Sequence, residues 1–440
     1  MSKKEKEQIL VRYGSSRKER EDFLKAMISP EGKAEVLDDV IVLDVSYANM
    51  SGDIASSIFA EFGAEVIKIE PPEGDPSRKI APHGVNRNGV GVPFIMEARN
   101  KRYFTLDLRD ESSREEFKKL AAKAHVVIET YKPGQMDSWG IGYRQLSQIN
   151  PGLVYIAISP YGQYGKKAQE FINVPDSDIV SQAASGAAAN IGDMEHMGEP
   201  YNWPLKAGVW LGWYINGVIA AQGGAVARYY ASATGEGQMV DVASGDAYAS
   251  LVGYPVTMGF TWDRARPRIG RHDFAIYPYG FWPCKDGMVA IAAGRDHDFR
   301  GLLKILKIWK EEDDWRYIFD RIPDIVEQVE KLYKMIADET NKYTSDELVK
   351  MAIDYSIKSA KSKWRGGGVP IVMKVQKPAT TMQNPHWAKR KSFTEFDDPQ
   401  LGKFVLPANF IKMSDSPPRV KWVSCGIGQD NTYIRDKYLK

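Results

Sequence analysis

The sequence predicts an α/β protein, with a doubly wound, mostly parallel sheet and a second, smaller α+β domain. Three observations carry that expectation. In the first part of the chain, short runs rich in Val and Ile alternate with helix-patterned segments. Such strand–helix–strand units imply a parallel sheet with both faces covered. From about residue 240 the texture changes to hairpin-like strands and charged helical sequence. Finally, 440 residues exceed one average domain, so two lobes are expected.

Residues 1–36 read as an N-terminal helical extension, in which "SSRKEREDFLKAM" offers a Ser N-cap and puts Phe23, Leu24 and Met27 on one face. A solvated surface helix is favoured there over an arm that grips a partner. Residues 37–249 form the large domain. "DVIVLDVS" is a buried strand; "SGDIASSIFAEFG" is a helix with Ser51 or Asp53 as cap and Gly63 as its stop; "AEVIKIEPP" is a strand ended by a proline pair. "RYFTLDL", "SREEFKKLAAKA", "HVVIETY", "YRQLSQI" and "LVYIAIS" repeat the alternation. Right-handed crossovers then give a Rossmann-like sheet. Residues 250–380 form the small α+β domain, with short strands around a turn at Asp286-Gly287, charged helical sequence over 296–360, and a glycine run leading into "VPIVMK". "GGGVP" reads as a lid or as a plain turn into a strand, with the turn preferred. Residues 381–440, with "FVLPANF" and "WVSCGIG", return to the large domain.

Composition removes several function classes. Lys plus Arg total 59 against 57 Asp plus Glu, a net charge of +2, so nothing favours nucleic acid or an anionic membrane. Cys284, Cys425 and six scattered histidines make neither a disulfide framework nor a metal-ligand spacing. No apolar run approaches the roughly 20 residues that span a bilayer, and the N-terminus lacks the apolar core of a secretory signal. A cytoplasmic protein is expected. The first strand-to-helix turn, "DVSYANMSG", lacks the closely spaced glycines that let a backbone approach a pyrophosphate, and there is no phosphate-cradling loop of the Gly-Lys-Ser/Thr type. Nicotinamide and nucleotide-hydrolysing chemistry are therefore disfavoured.

An ordered set of motifs then carries a resemblance: "LDVSYANMSG", "FGAEVIKIEPPEGDPSR", "NKRYFTLDL", "VVIETYKPGQMDSWGIGYRQLSQINPGLVYIAISPYGQYG", "QAASG" and "TGEGQMVDVA", over roughly residues 38–246, with "GGGVP" and "NPHW" as weaker echoes. Together they resemble the family III CoA-transferases, the group of formyl-CoA transferase, carnitine CoA-transferase and α-methylacyl-CoA racemases. The resemblance implies an interlocked-ring dimer with its active site between chains, CoA and acyl-CoA as substrates, and no covalently bound cofactor or metal. It implies a CoA-contacting role for Tyr47, Ala48, Asn49, Met50, Leu106, Thr130, Tyr131 and Trp139. For the first four, position agrees, because open α/β sheets bind ligands at the carboxyl ends of their strands. A plain turn explains any one of them equally well. The resemblance also implies covalent catalysis. An aspartate attacks the acyl-CoA thioester to form a mixed anhydride, CoA thiolate re-attacks to leave an aspartyl-CoA thioester, and the acceptor carboxylate completes the exchange.

In the family that aspartate precedes a helix of small residues, in the frame Pro-x-Lys-x-Gly-Val-x-x-x-Asp-x-x-x-Gly. Here the frame is Pro204, Lys206, Gly208, Val209, Trp213 and Gly217. Trp213 stands where the nucleophile belongs, and indole offers one N–H donor and no nucleophile. The nearest carboxylates by sequence are Asp176, Asp178 and Asp193. Asp176 or Ser177 reads as a helix cap, which leaves Asp178 as the fallback. Ser177 stands where the racemases place histidine, so both proton-transfer groups are missing and the racemase reading falls. Ser138 and Pro71 stand where the family often has arginine, which costs cations for the CoA phosphates.

The lead expectation is thus a non-catalytic subunit whose homologous partner carries the aspartate, in an interlocked heterodimer or a dimer of heterodimers. The resemblance extends to two-chain members of the family, with succinyl-CoA as donor and an aromatic dicarboxylate as acceptor. A self-sufficient homodimer using Asp178 and a CoA-ester-binding scaffold are the alternatives. Trp213 should be buried where the acyl pocket would lie. Gly208, Gly212, Gly217, Gly223 and Gly224 should face a closely approaching helix or the partner.

Overall fold

The computed structural model describes residues 17–192, 203–262, 268, 270–271, 273, 276–310, 325–360, 369–407 and 410–440. The Ser cap expected near residue 16, Asp193 and the glycines of "GGGVP" lie outside these residues. Two compact units divide the chain. One holds Met1–Ala187, Ala207–Gly253 and Asn384–Lys440; the other holds Ala188–Lys206 and Tyr254–Gln383. The stretch 188–206, continuous in sequence with the large domain, groups with the second unit.

The first unit is built on six parallel strands and a two-residue ladder. In chain order these are β1 (Ile41–Asp44), β2 (Glu65–Glu70), the ladder β3 (Asn86–Arg87) with β4 (Val90–Gly91), β5 (Lys101–Thr105), β6 (Val126–Glu129), β7 (Val154–Ser159) and β8 (Met239–Ala243). The sheet order is β5-β2-β1-β6-β7-β8, with Val42 paired to Val66 on one side and to Val126 on the other. Chain order therefore reverses between β1 and β6, the switch point where doubly wound sheets open a ligand crevice. Strand side chains alternate between faces. Leu43, Ile67, Phe104 and Val127 pack with Phe117, Leu120 and Leu146 on one face. Val42, Val66, Ile128 and Ile156 pack with Ala55, Phe59, Ala220 and Ala227 on the other. Burial on both faces is why these strands read as unbroken apolar runs.

Helix Met50–Glu61 follows β1. Its cap is Asn49, whose side chain accepts from the Ser51 N–H at 2.8 Å. This corrects the assignment to Ser51 or Asp53, both of which are buried inside the helix. The long helix Leu211–Thr234 packs on it. A Cβ at Gly217 would lie 2.6 Å from Ile54 Cγ2 and 2.8 Å from the Ser51 carbonyl oxygen, so only glycine permits this approach. Gly212 and Gly224 are likewise pressed, by Asp178 and by Ile156, and Gly223 faces Val240. A Cβ at Gly208 would meet nothing within 4 Å in this chain.

In the second unit, β9 (Tyr279–Cys284), β10 (Gly287–Ala292) and β11 (Ile371–Lys374) form an antiparallel sheet around Trp282, Val289 and Ile291. Helices Asp296–Ile305, Ile325–Thr340 and Ser345–Ala360 belong to it. The C-terminal segment in the first unit adds a hairpin, β12 (Phe393–Asp398) with β13 (Gly402–Pro407), and bridges Arg99 through Val423. Among the described residues no helix is long and apolar enough to cross a membrane, and no cluster of His, Cys, Asp and Glu could hold a metal.

Candidate active site

The turn after β1 is gripped from three directions. From below, Lys68 is fully buried. Its Nζ donates to the Ser46 carbonyl at 2.7 Å and lies 2.9 Å from Asp53, 3.2 Å from Asp75 and 3.5 Å from Asp44. Lys101, also buried, pairs with Asp44 at 3.5 Å and Asp53 at 3.6 Å. A buried ammonium persists only where carboxylates and hydrogen bonds replace its hydration. Asp75 in turn accepts the Ala48 N–H at 3.1 Å, which helps hold Ala48 at a φ of 54°. From the side, Thr130 Oγ1 accepts the Tyr47 N–H at 2.9 Å. From the far side, Asn49 Nδ2 donates to Asp176 at 2.9 Å.

Electrostatics follow from this crowding. Burial raises Asp53 to about 6 against the pull of Lys68 and Lys101. Burial works the same way on Asp44, but the two lysines prevail and hold it below the usual carboxylate range. Glu129, at the end of β6, is buried and pushed up to about 8, while the Tyr131 N–H donating to it at 2.6 Å opposes that rise.

Two cavities open over this framework. One, of about 330 Å³, runs among Tyr47, Leu106, Tyr131 and Trp139, with Pro71, Arg109, Lys132 and Gln135 also on its wall. Tyr47 and Tyr131 stack with ring centroids 6.1 Å apart, and Trp139 meets Tyr131 edge-on at 5.1 Å. The other, of about 390 Å³, is lined by Tyr47, Ala48, Asn49, Thr130, Tyr131 and Lys132, and by Asp176. Thus seven of the eight residues expected at CoA stand around two cavities that share Tyr47, Tyr131 and Lys132. Met50 is different: it is buried in the first turn of its helix and lines neither.

Arg109 and Lys132 are the residues the sequence reading overlooked. Arg109 sits in "LDLRD" just past β5, held by Asp107 at 2.7 Å and Glu73 at 2.9 Å. Lys132 stands in the Lys132-Pro133-Gly134 turn that follows β6. A cation immediately beyond a parallel strand's carboxyl end is the signal that could have found both.

The entrance to helix Leu211–Thr234 is arranged otherwise. Val209 and Trp210 both have a φ of 53°, a left-handed conformation that is unusual for any side chain and strained for β-branched Val209. Trp213 is half-buried rather than enclosed; its ring lies 5.7 Å from that of Trp210, and its Nε1 is shielded without a hydrogen-bond partner. One residue earlier, the Gly212 N–H donates to Asp178 Oδ1 at 2.8 Å, and Gln182 donates to Oδ2 at 3.0 Å. The fallback carboxylate therefore sits at the same helix N-terminus as Trp213, but both of its oxygens are engaged. Ser177 occupies the cap position of helix Asp178–Ala184 with no side-chain cap bond, and Asp176 turns to Asn49. Of the two expected caps, Ser177 holds the cap position, though without a side-chain cap bond, and Asp176 does not.

The comparisons with known proteins agree with this geometry. Residues 37–431 match the model of CoA-transferase family III. The chain is 29% identical, over 90% of its length and 92% of the relative's, to the succinyl-CoA–D-citramalate CoA-transferase of Chloroflexus aurantiacus. It is 33% identical to the succinyl-CoA:(R)-benzylsuccinate CoA-transferase subunit BbsE of Thauera aromatica, over 56% of this chain and 58% of that one. Its fold is similar to the crystal structure of a CAIB/BAIF family protein from Brucella suis, with a TM-score of 0.74, 25% identity, and coverage of 92% of this chain and all of that one. With its parallel sheet, its crevice at the switch point and a family match over most of its length, the chain belongs to CoA-transferase family III.

Proposed function

We propose that this chain is the non-catalytic subunit of a heteromeric CoA-transferase. In this reading the enzyme moves CoA from succinyl-CoA to (R)-benzylsuccinate, and a homologous partner supplies the nucleophilic aspartate. The single observation behind the proposal is Trp213, which holds the position the resemblance assigns to that aspartate. The surroundings support it. Asp178, the nearest substitute, spends both oxygens on Gly212 and Gln182. The outer stripe of helix Leu211–Thr234 exposes Val218, Val226 and Tyr229, an apolar row of the kind a partner covers. The two cavities at the switch point would hold the CoA ester, with its adenine among Tyr47, Tyr131 and Trp139. The choice of donor and acceptor follows the names of the relatives.

The test is intact mass after incubation with succinyl-CoA and hydroxylamine, which traps an acyl-enzyme. This chain alone should show no adduct; with its homologous partner present, the adduct should map to the partner's aspartate. One observation favours a second reading, a self-sufficient enzyme: Asp178 lies beside Gly212, next to the vacated position. An adduct at Asp178 of this chain alone would establish that reading and overturn the first.

A further inference from the structure

We infer that Glu129 is a positioning residue of the switch-point crevice: by accepting the Tyr131 N–H it fixes the aromatic ring that forms the common wall of both cavities. The inference rests on the proposal that those cavities hold a CoA ester, and deepens it.

Glu129 closes β6, and strand alternation puts its side chain on the same face as Val127. That face is apolar: Val127 packs there with Phe117, Leu146 and Tyr155. Glu129 is buried all the same, and a carboxyl group in such a place costs stability unless its oxygens are used. They are used. Oε2 accepts the N–H of Tyr131, two residues on, at 2.6 Å, and the Tyr155 hydroxyl of β7 hydrogen-bonds to the same group. Burial, with Asp137 and Asp241 adding to it, pushes the carboxyl up to about 8. Near neutrality it therefore keeps its proton, which leaves an oxygen to accept and an O–H to donate.

The bond to Tyr131 acts where the chain leaves the sheet. Thr130 holds Tyr47 by its N–H at 2.9 Å, and Glu129 holds Tyr131. The two rings lie 6° from parallel, and Trp139 abuts Tyr131 edge-on. Tyr131 lines both cavities, so each depends on where its ring stands. Without the acceptor, the Tyr131 backbone is free to leave the position from which its ring meets Tyr47 and Trp139.

The experiment is calorimetric titration with CoA of the full chain as wild type, Glu129→Met, Glu129→Gln, Tyr131→Ala and the double variant Glu129→Met with Tyr131→Ala. Methionine suits the apolar face in volume and polarity but is only a weak acceptor. Glu129→Met should weaken CoA binding on the order of tenfold, the worth of one hydrogen bond. Glu129→Gln, which keeps an acceptor and a donor, should recover most of that loss. In the Tyr131→Ala background Glu129→Met should weaken binding no further, because its effect passes through the ring. Unchanged CoA affinity in Glu129→Met overturns the assignment alone, and so does a Gln variant as weak as the Met variant. Losses that add in the double variant overturn it too, since Glu129 then acts by supporting the sheet. If Tyr131→Ala binds CoA like wild type, or wild type binds none, the CoA-site reading falls and the assignment falls with it.

Discussion

The turn at Tyr47–Asn49 and the helix entrance at Val209–Trp213 sit on neighbouring elements but are built on opposite principles. The turn is over-determined: Lys68 supports it from beneath, Thr130 from the side and Asp176 from across the crevice. The entrance carries two successive left-handed residues, a half-buried indole whose N–H has no partner, and a carboxylate tied down by helix N–H and amide groups. A well-supported crevice beside an entrance that carries Trp213 fits the proposed division of labour between two chains. The two regions meet where Gly217 of the long helix rests on Ser51 and Ile54 of the helix that the turn begins.

That contrast can be broken from either side. The largest effect should come from Lys68→Ala, which leaves Asp44, Asp53 and Asp75 buried around a lost cation. Breaking a buried ion network by removing one partner costs about 3–5 kcal/mol. Chemical denaturation should show that loss, and a loss under 1 kcal/mol would mean that the turn is not held by its buried charges. Next is Gly217→Ala. Its Cβ would meet Ile54 Cγ2 at 2.6 Å and the Ser51 carbonyl oxygen at 2.8 Å, and such overpacking costs about 1–3 kcal/mol. Replacing glycine within a helix returns up to about 1 kcal/mol. A net stabilisation in the melting curve would show that the two helices do not approach as described.

The smallest effect is a slope. Burial raises Glu129 from 4.5 to about 8 in the folded state, so the folded chain binds that proton more tightly than the unfolded chain. Its contribution to stability is present in full below pH 4.5 and is lost as pH rises through 8. Between those values, stability should fall with rising pH by up to about 1.4 kcal/mol per unit. Glu129→Gln should flatten that slope and be the more stable protein at alkaline pH. Identical pH profiles for the two proteins would show that Glu129 does not carry the proton. Because the Tyr131 N–H donates to Glu129, the same titration examines the support of the aromatic wall.

Much of the first unit was readable from local pattern. The runs around Ile41–Asp44, Glu65–Glu70, Val126–Glu129 and Val154–Ser159 are short, β-branched and bounded by breakers, and helix Tyr143–Ile149 matches its motif without a residue to spare. The cap of helix Met50–Glu61 is not legible locally, because Ser51 and Asp53 are good cap types and nothing local distinguishes them from Asn49. Asp53 was unavailable, since Lys68 and Lys101 claim it. The grouping of residues 188–206 with the second unit was equally out of reach, because it involves contacts between residues far apart in the chain, such as the Arg268 guanidinium donating to the Ala189 carbonyl at 3.4 Å.

By itself, the sequence determined the alternation of strand and helix, the family frame, and the tryptophan at position 213, because periodicity and spacing are properties of neighbouring residues. Only the tertiary structure decided that β1 and β6 adjoin at the switch point, that five charged side chains from separate elements share one dry site, and that Asp176 lines the crevice while Asp178 is tied to the helix entrance. Each of these depends on residues far apart in the chain. The free energy of a buried charge or hydrogen bond is set by whatever the fold brings within a few ångströms, and no local pattern encodes that.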